Sequence, residues 1–184
     1  MKKGIVILLL AVGLVAYTIY HNTDGTPTVQ SAKASTAGAA KKEEKMAVGY
    51  LAPDFSLPGM DGKTYKLSDI HKPILLNFWA SWCRPCRMES PRLEELYKKY
   101  NGKFEIVSVN STIEDKETNA RQFARKFGFT FPVLLDKKGD VGNLYQLQYY
   151  PTNIFISKTR EIVKITSGLL PPAEMEDAVK QIIQ

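Results

Sequence analysis

The chain has two cysteines, three residues apart in Trp82-Cys83-Arg84-Pro85-Cys86, directly after the apolar run Ile74-Leu75-Leu76-Asn77-Phe78-Trp79. A strand that empties into Cys-x-x-Cys at the start of a helix is an arrangement for thiol–disulfide exchange. Residues i and i+3 on a first helical turn face the same way. Their spacing suits a disulfide, whose Cα atoms lie roughly 5.5–6 Å apart. Cys83 comes first, where unsatisfied N–H groups and the helix dipole stabilise a thiolate. It is therefore expected to be the exposed nucleophile. Cys86, one turn in, is expected to be covered and to resolve the mixed disulfide. Pro85 is tolerated because first-turn N–H groups lack partners, and Arg84 adds positive charge that favours the thiolate. A disulfide present only for stability would close a longer loop. A three-residue spacing restricts the unfolded chain hardly at all.

The 184 residues suffice for one domain and a tail, and 44% hydrophobic content supports a packed core. Net charge is +6, but the lysines are spread out and no aromatic-and-basic stripe is present. Nucleic acid is therefore set aside, and an anionic membrane or acidic protein partners fit the charge. Met1-Lys2-Lys3 is a positive flank, and residues 4–20 carry no charge. That length is about the minimum for a bilayer span, roughly 17 residues. A secretory signal peptide looks similar, but the bulky Tyr17-Thr18-Ile19-Tyr20-His21 offers no small-residue cleavage site and Ala32-Lys33-Ala34 lies too far downstream, so an uncleaved signal anchor (residues 1–20) is expected over a cleaved signal. Lys2 and Lys3 keep the N-terminus cytoplasmic and place the rest outside, where disulfides persist. The expected location is thus the cell membrane, single-pass, with the catalytic domain extracytoplasmic. Residues 21–47 have hardly any large apolar side chain and read as a flexible linker. Within it, Lys41-Lys42-Glu43-Glu44-Lys45 reads as a solvated charge run.

The globular domain is expected over residues 48–184. Asp61-Gly62 between alternating segments signals a hairpin. The continuous apolarity of residues 74–79 marks a central strand buried on both faces. Leu93, Leu96, Tyr97 and Tyr100 give a helix after the cysteines its apolar face, with a kink expected at Pro91. Strands follow at 104–109 and 131–135, with a helix at 116–127 between them and a short one around Val141, Leu144 and Tyr145. Residues 153–156 and 161–165 form an antiparallel pair, and Pro171-Pro172 open a last helix. This order predicts an α/β fold, a mixed central sheet with helices on both faces, plus an N-terminal β-hairpin extension.

The chain resembles the thioredoxin superfamily, and more closely its membrane-anchored TlpA/ResA-like thiol-disulfide oxidoreductases. The matching residues are Ala52-Pro53-Asp54-Phe55, the stretch from Asn77 to Cys86 that includes Trp82, then Glu89-Ser90-Pro91, and Tyr150-Pro151-Thr152. The resemblance covers residues 48–184 and implies a thioredoxin-like fold. It also implies a cis bond before Pro151, beside the disulfide, where the backbone pairs with a substrate peptide. Trp82, Arg84, Tyr150, Pro151 and Thr152 are thereby the expected substrate-binding residues. Two departures from ordinary thioredoxin matter. The buried Asp that accepts the second cysteine's proton is replaced by Asn77, which cannot titrate. Glu89, three residues past Cys86 on the same helix face, matches a functional acidic position in the TlpA/ResA-like proteins. A carboxylate there opposes thiolate formation and could shuttle the proton. Cys83, Cys86 and Glu89 are therefore the expected catalytic set.

Arg84 and the helix dipole make the pair more oxidising, whereas Glu89 opposes them, so the residues alone leave the direction of electron flow open. The resemblance implies reduction of disulfides in partner proteins, notably the Cys-x-x-Cys-His haem site of apocytochrome c during cytochrome c maturation. Recharging then requires a membrane thiol carrier. No cofactor beyond the redox-active Cys83–Cys86 pair, no metal and a monomeric state are expected. Two alternatives differ in kind. A peroxiredoxin-like thiol peroxidase shares the Ala-Pro-Asp-Phe opening, but its reactive cysteine follows Thr/Ser-x-x without a second cysteine at i+3. A non-catalytic metal-carrying module would have to combine the two cysteines with His21 or His71.

Overall fold

In the computed structural model, which describes residues 42–184, the apolar run Ile74–Trp79 forms β3, every residue of which is buried. Ahead of it lie β1 (Ser56–Pro58), β2 (Thr64–Lys66) and a short 3-10 turn (Leu67–Asp69). After it come α1 (Arg84–Lys99), β4 (Glu105–Asn110), α2 (Glu117–Lys126), β5 (Val133–Leu135), α3 (Asp140–Leu144), β6 (Thr152–Ile156), β7 (Ile162–Ser167) and α4 (Pro172–Ile183). The five-stranded sheet has the order β5-β4-β3-β6-β7. The β3–β4 and β4–β5 pairs are parallel, as their helical crossovers require, and β6 and β7 join antiparallel.

The period-2 alternation of β3 divides the core into two layers. Leu75 and Trp79 face Leu93 and Leu96 of α1, Phe123 of α2, and Met175 and Val179 of α4. Ile74, Leu76 and Phe78 face the opposite cluster, with Phe55, Leu57, Val141 and Tyr145. The hairpin β1–β2 turns at Gly62, whose φ of 83° suits glycine. It covers the β5 edge: Met60 N–H donates to Val133 O at 2.8 Å, and Gly59 bridges Leu134. Pro91 lies inside α1 without ending it.

The charge run at residues 41–45 is exposed from Lys42 onward, as expected, while its backbone is laid against the domain. Leu51 N–H donates to Glu43 O at 3.0 Å, and Lys45 N–H to Leu51 O at 2.9 Å. Lys42 pairs with Glu161, and Arg160 with Glu44 at 2.6 Å. The cause is Arg160, in the turn between β6 and β7, whose guanidinium also donates to Ala52 O at 2.8 Å. A part-buried cation there needs a carboxylate, and Glu44 supplies it. The expected anchor over residues 4–20, and the linker before Lys42, lie outside the described residues. Among the described residues no helix is long and apolar enough to cross a membrane.

Candidate active site

The end of β3 and the start of α1 place both sulfurs. Cys83 is the N-cap of α1, and its sulfur accepts from the Cys86 N–H at 3.1 Å. Cys83 and Cys86 form a disulfide with a Cα–Cα separation of 5.3 Å. Cys83 was expected to be exposed and Cys86 covered, yet their exposures are 4% and 3%. Both are buried in the oxidised state, so residue exposure does not distinguish them. Access does: Cys83, not Cys86, lines an open cleft of about 460 Å³ whose walls include Trp82, Arg84, Glu114, Tyr149 and Tyr150. Arg84 is exposed, and among the described residues no carboxylate lies within ion-pair distance of it.

The turn before Cys83 is held from the β4–α2 loop. Asp115 accepts from the Ser81 N–H and the Ser81 hydroxyl, both at 2.7 Å. It also accepts from Asn110 Nδ2 at 3.0 Å and the Lys116 N–H at 2.8 Å. These hydrogen bonds to its charged form outweigh partial burial and hold the Asp115 carboxyl below the usual carboxylate range. Arg87 donates twice to Ser81 O, at 3.0 and 2.9 Å. Trp82 is 55% exposed; its indole N–H donates to Glu114 O at 3.0 Å and its ring meets Tyr150 edge-on at 6.0 Å.

The opposite wall of the cleft is the approach to β6. The Tyr150–Pro151 peptide bond is cis, as the resemblance implies. Thr152 donates its hydroxyl to Tyr149 O at 2.7 Å and pairs with Phe78 in the sheet. Pro151 has no N–H, and its carbonyl already accepts from Gly168 at 2.7 Å. The residue with free backbone is Tyr150, whose N–H and C=O have no hydrogen-bond partner among the described residues.

Glu89 is 2% exposed. Its Oε1 accepts from Asn153 Nδ2 at 2.8 Å and its Oε2 from Asn77 Nδ2 at 3.4 Å. Burial pushes its carboxyl up to about 7, against the pull of the Asn153 amide and the Leu170 N–H. It also lines a mostly apolar groove of about 270 Å³ with Met88, Leu169 and Leu170. A carboxyl in that state exchanges a proton near neutral pH. His71 lies in the loop before β3, at the opposite end of that strand from the cysteines.

Of the residues expected at the site, Trp82, Cys83, Arg84 and Tyr150 line one cleft, Cys86 is bonded to Cys83, Pro151 and Thr152 follow Tyr150 into β6, and Glu89 lies buried on α1 against Asn153 and Asn77. The sequence reading missed Asp115, Glu114, Tyr149 and Asn153. Asn153 carried a signal, a polar residue inside the buried run Thr152–Ile156. Asp115 carried none, because its partner Ser81 is 34 residues away.

Residues 48–165 match the AhpC/TSA family. The thioredoxin-like protein YneN of Bacillus subtilis (strain 168) is 42% identical over 139 residues, 74% of this chain and 81% of that one. The thiol-disulfide oxidoreductase ResA of Geobacillus thermodenitrificans (strain NG80-2) is 34% identical over 179 residues, 96% of this chain and 92% of that one. Among solved structures, a Chlorobium tepidum protein assigned as a thiol:disulfide interchange protein DsbE is 33% identical. It superimposes with a TM-score of 0.70 over 76% of this chain and 100% of that one.

Proposed function

The chain belongs to the AhpC/TSA family and is a thioredoxin-fold thiol-disulfide oxidoreductase, and on that premise we propose that it reduces disulfides in partner proteins on the outer side of the membrane. The substrate class includes the Cys-x-x-Cys-His haem site of apocytochrome c. The observation that carries the reading is the pairing of one sulfur, Cys83, with an open aromatic cleft beside the free backbone of Tyr150. An extended peptide can add its own N–H and C=O to Tyr150 while its disulfide lies over Cys83.

The reaction starts from the reduced pair. The Cys83 thiolate attacks one sulfur of the substrate disulfide, whose S–S bond breaks and whose second sulfur leaves as a thiolate. Cys86 gives its proton to Glu89, and its thiolate then attacks Cys83 Sγ. The Cys83–Cys86 disulfide forms and the first substrate sulfur leaves. Two electrons pass from the cysteine pair to the substrate, and Glu89's proton goes to solvent or a leaving thiolate. The Cys86 N–H and the start of α1 stabilise the Cys83 thiolate. A membrane dithiol carrier returns the electrons. Residues 4–20 anchor the chain, and Lys2 and Lys3 orient it with the catalytic domain outside.

The test uses the full chain in detergent and a peptide carrying an oxidised Cys-x-x-Cys-His segment. The wild type reduces it, Cys86→Ser accumulates a mixed disulfide through Cys83, and Cys83→Ser does neither. A reduction potential near about −300 mV accompanies a reductant, and one near about −120 mV an oxidant. Rapid peroxide consumption with no turnover of the peptide would replace this reading with the peroxidase one.

A further inference from the structure

The proton acceptor is itself held by two amides drawn from neighbouring strands. Asn77 of β3 and Asn153 of β6 are register partners, buried to 2% and 0% exposure. Asn77 Nδ2 donates to Asn153 Oδ1 at 2.8 Å, which turns the Asn153 amide N–H toward Glu89 Oε1. On the other side of β3, Asn77 is the register partner of Ser108, whose hydroxyl donates to Asn77 Oδ1 at 3.3 Å. Both side-chain carbonyls are thus occupied from behind, and both amide N–H groups are delivered to the carboxylate. A charged carboxylate satisfies this arrangement. A protonated one would bring an O–H to a cluster that offers it donors.

We infer that Asn153 and Asn77 are positioning residues that hold Glu89 as an acceptor and thereby set the pH window in which Cys86 yields its proton. The inference rests on the reading of Glu89 as that proton's acceptor. Without the amides, burial opposed only by the Leu170 N–H would keep Glu89 protonated to higher pH. The other groups facing Glu89 do not replace them. The Leu170 N–H from the β7–α4 connection is a single donor. Arg92 shares the apolar groove, but its guanidinium is held by Glu95 and Glu176.

The experiment follows Glu89 directly in the full chain, by the carbon-13 shift of its side-chain carboxyl, alongside the pH profile of disulfide exchange. Asn153→Ala should raise the Glu89 midpoint by about one pH unit and move the rate profile up with it. Asn77→Ala, which removes the longer bond and frees Asn153's carbonyl, should move both the same way by less. Asn77→Ala also serves should Asn153→Ala not fold, as judged by near-ultraviolet circular dichroism. In a Glu89→Gln background neither amide change should shift the rate profile. The inference fails if both amide variants fold and the Glu89 midpoint stays within about 0.3 units of wild type, or if the shift persists in Glu89→Gln. If Glu89→Gln by itself leaves the wild-type profile intact, the proton-acceptor reading falls and this inference with it. If Glu89→Gln removes the midpoint while Asn153→Ala leaves it in place, only the role of the amides is lost.

Discussion

Asp115 grips Ser81 at two atoms, the backbone N–H and the hydroxyl, each at 2.7 Å. One carboxylate on the β4–α2 loop thereby fixes the turn that delivers Cys83 to the head of α1. Asp115→Ala should cost roughly 2–3 kcal/mol of stability, since it strands the Ser81 N–H and removes a charge-assisted acceptor. Urea unfolding measures the loss, and exchange at Cys83 should slow because the N-cap is no longer held in place. An unchanged denaturation midpoint would show that Arg87 alone suffices to hold the turn.

Stability should depend on pH through Glu89. Its carboxyl titrates near 4.5 in the unfolded chain and is raised to about 7 in the fold. Between those values the folded state binds more protons than the unfolded one, so stability falls as pH rises. The oxidised protein should therefore be more stable at pH 5 than at pH 8, by roughly 2–3 kcal/mol. Glu89→Gln should flatten that slope and stabilise the fold at pH 8. Thermal or urea melts at the two pH values decide the matter, and a wild-type slope in the Gln variant would refute the assignment.

Arg84→Glu should slow reaction at Cys83 by replacing a cation with an anion beside the developing thiolate. A threefold to tenfold drop in the rate of iodoacetamide alkylation of the reduced protein at low salt, shrinking toward wild type at about 1 M salt, is the expected pattern. A drop that ignores salt would point to a packing change instead.

Trp82→Ala should weaken peptide capture more than chemistry. The indole forms one wall of the cleft and sits edge-on to Tyr150. KM for the peptide substrate should rise about fivefold to tenfold with kcat near wild type. An equal fall in kcat with KM unchanged would place the ring in the reacting geometry.

Mixed-disulfide trapping separates the two sulfurs. Cys86→Ser should accumulate an adduct at Cys83 when offered an oxidised peptide, because Cys83 and not Cys86 lines the cleft. Mass spectrometry of the adduct identifies the linked residue, and an adduct found in Cys83→Ser would reverse the assignment.

The chain's local chemistry determined the elements and the reactive pair. Unbroken apolarity marked residues 74–79 as a doubly buried strand, Asp61-Gly62 marked the hairpin turn, and two cysteines at i and i+3 after that strand marked the redox centre. Each of these is a short-range pattern, legible because strand period, turn dihedrals and helical spacing are properties of a few consecutive residues. What the patterns could not carry is who meets whom across the sheet. Folding alone brought Asp115 to Ser81, Glu44 to Arg160, and Asn77 and Asn153 to the carboxylate of Glu89. Burial was likewise a tertiary outcome. The sequence singled out Glu89 by its match to a functional acidic position, but its raised proton affinity arises only when the fold buries it beside the Leu169–Leu170 segment and removes the water that would otherwise keep that affinity low.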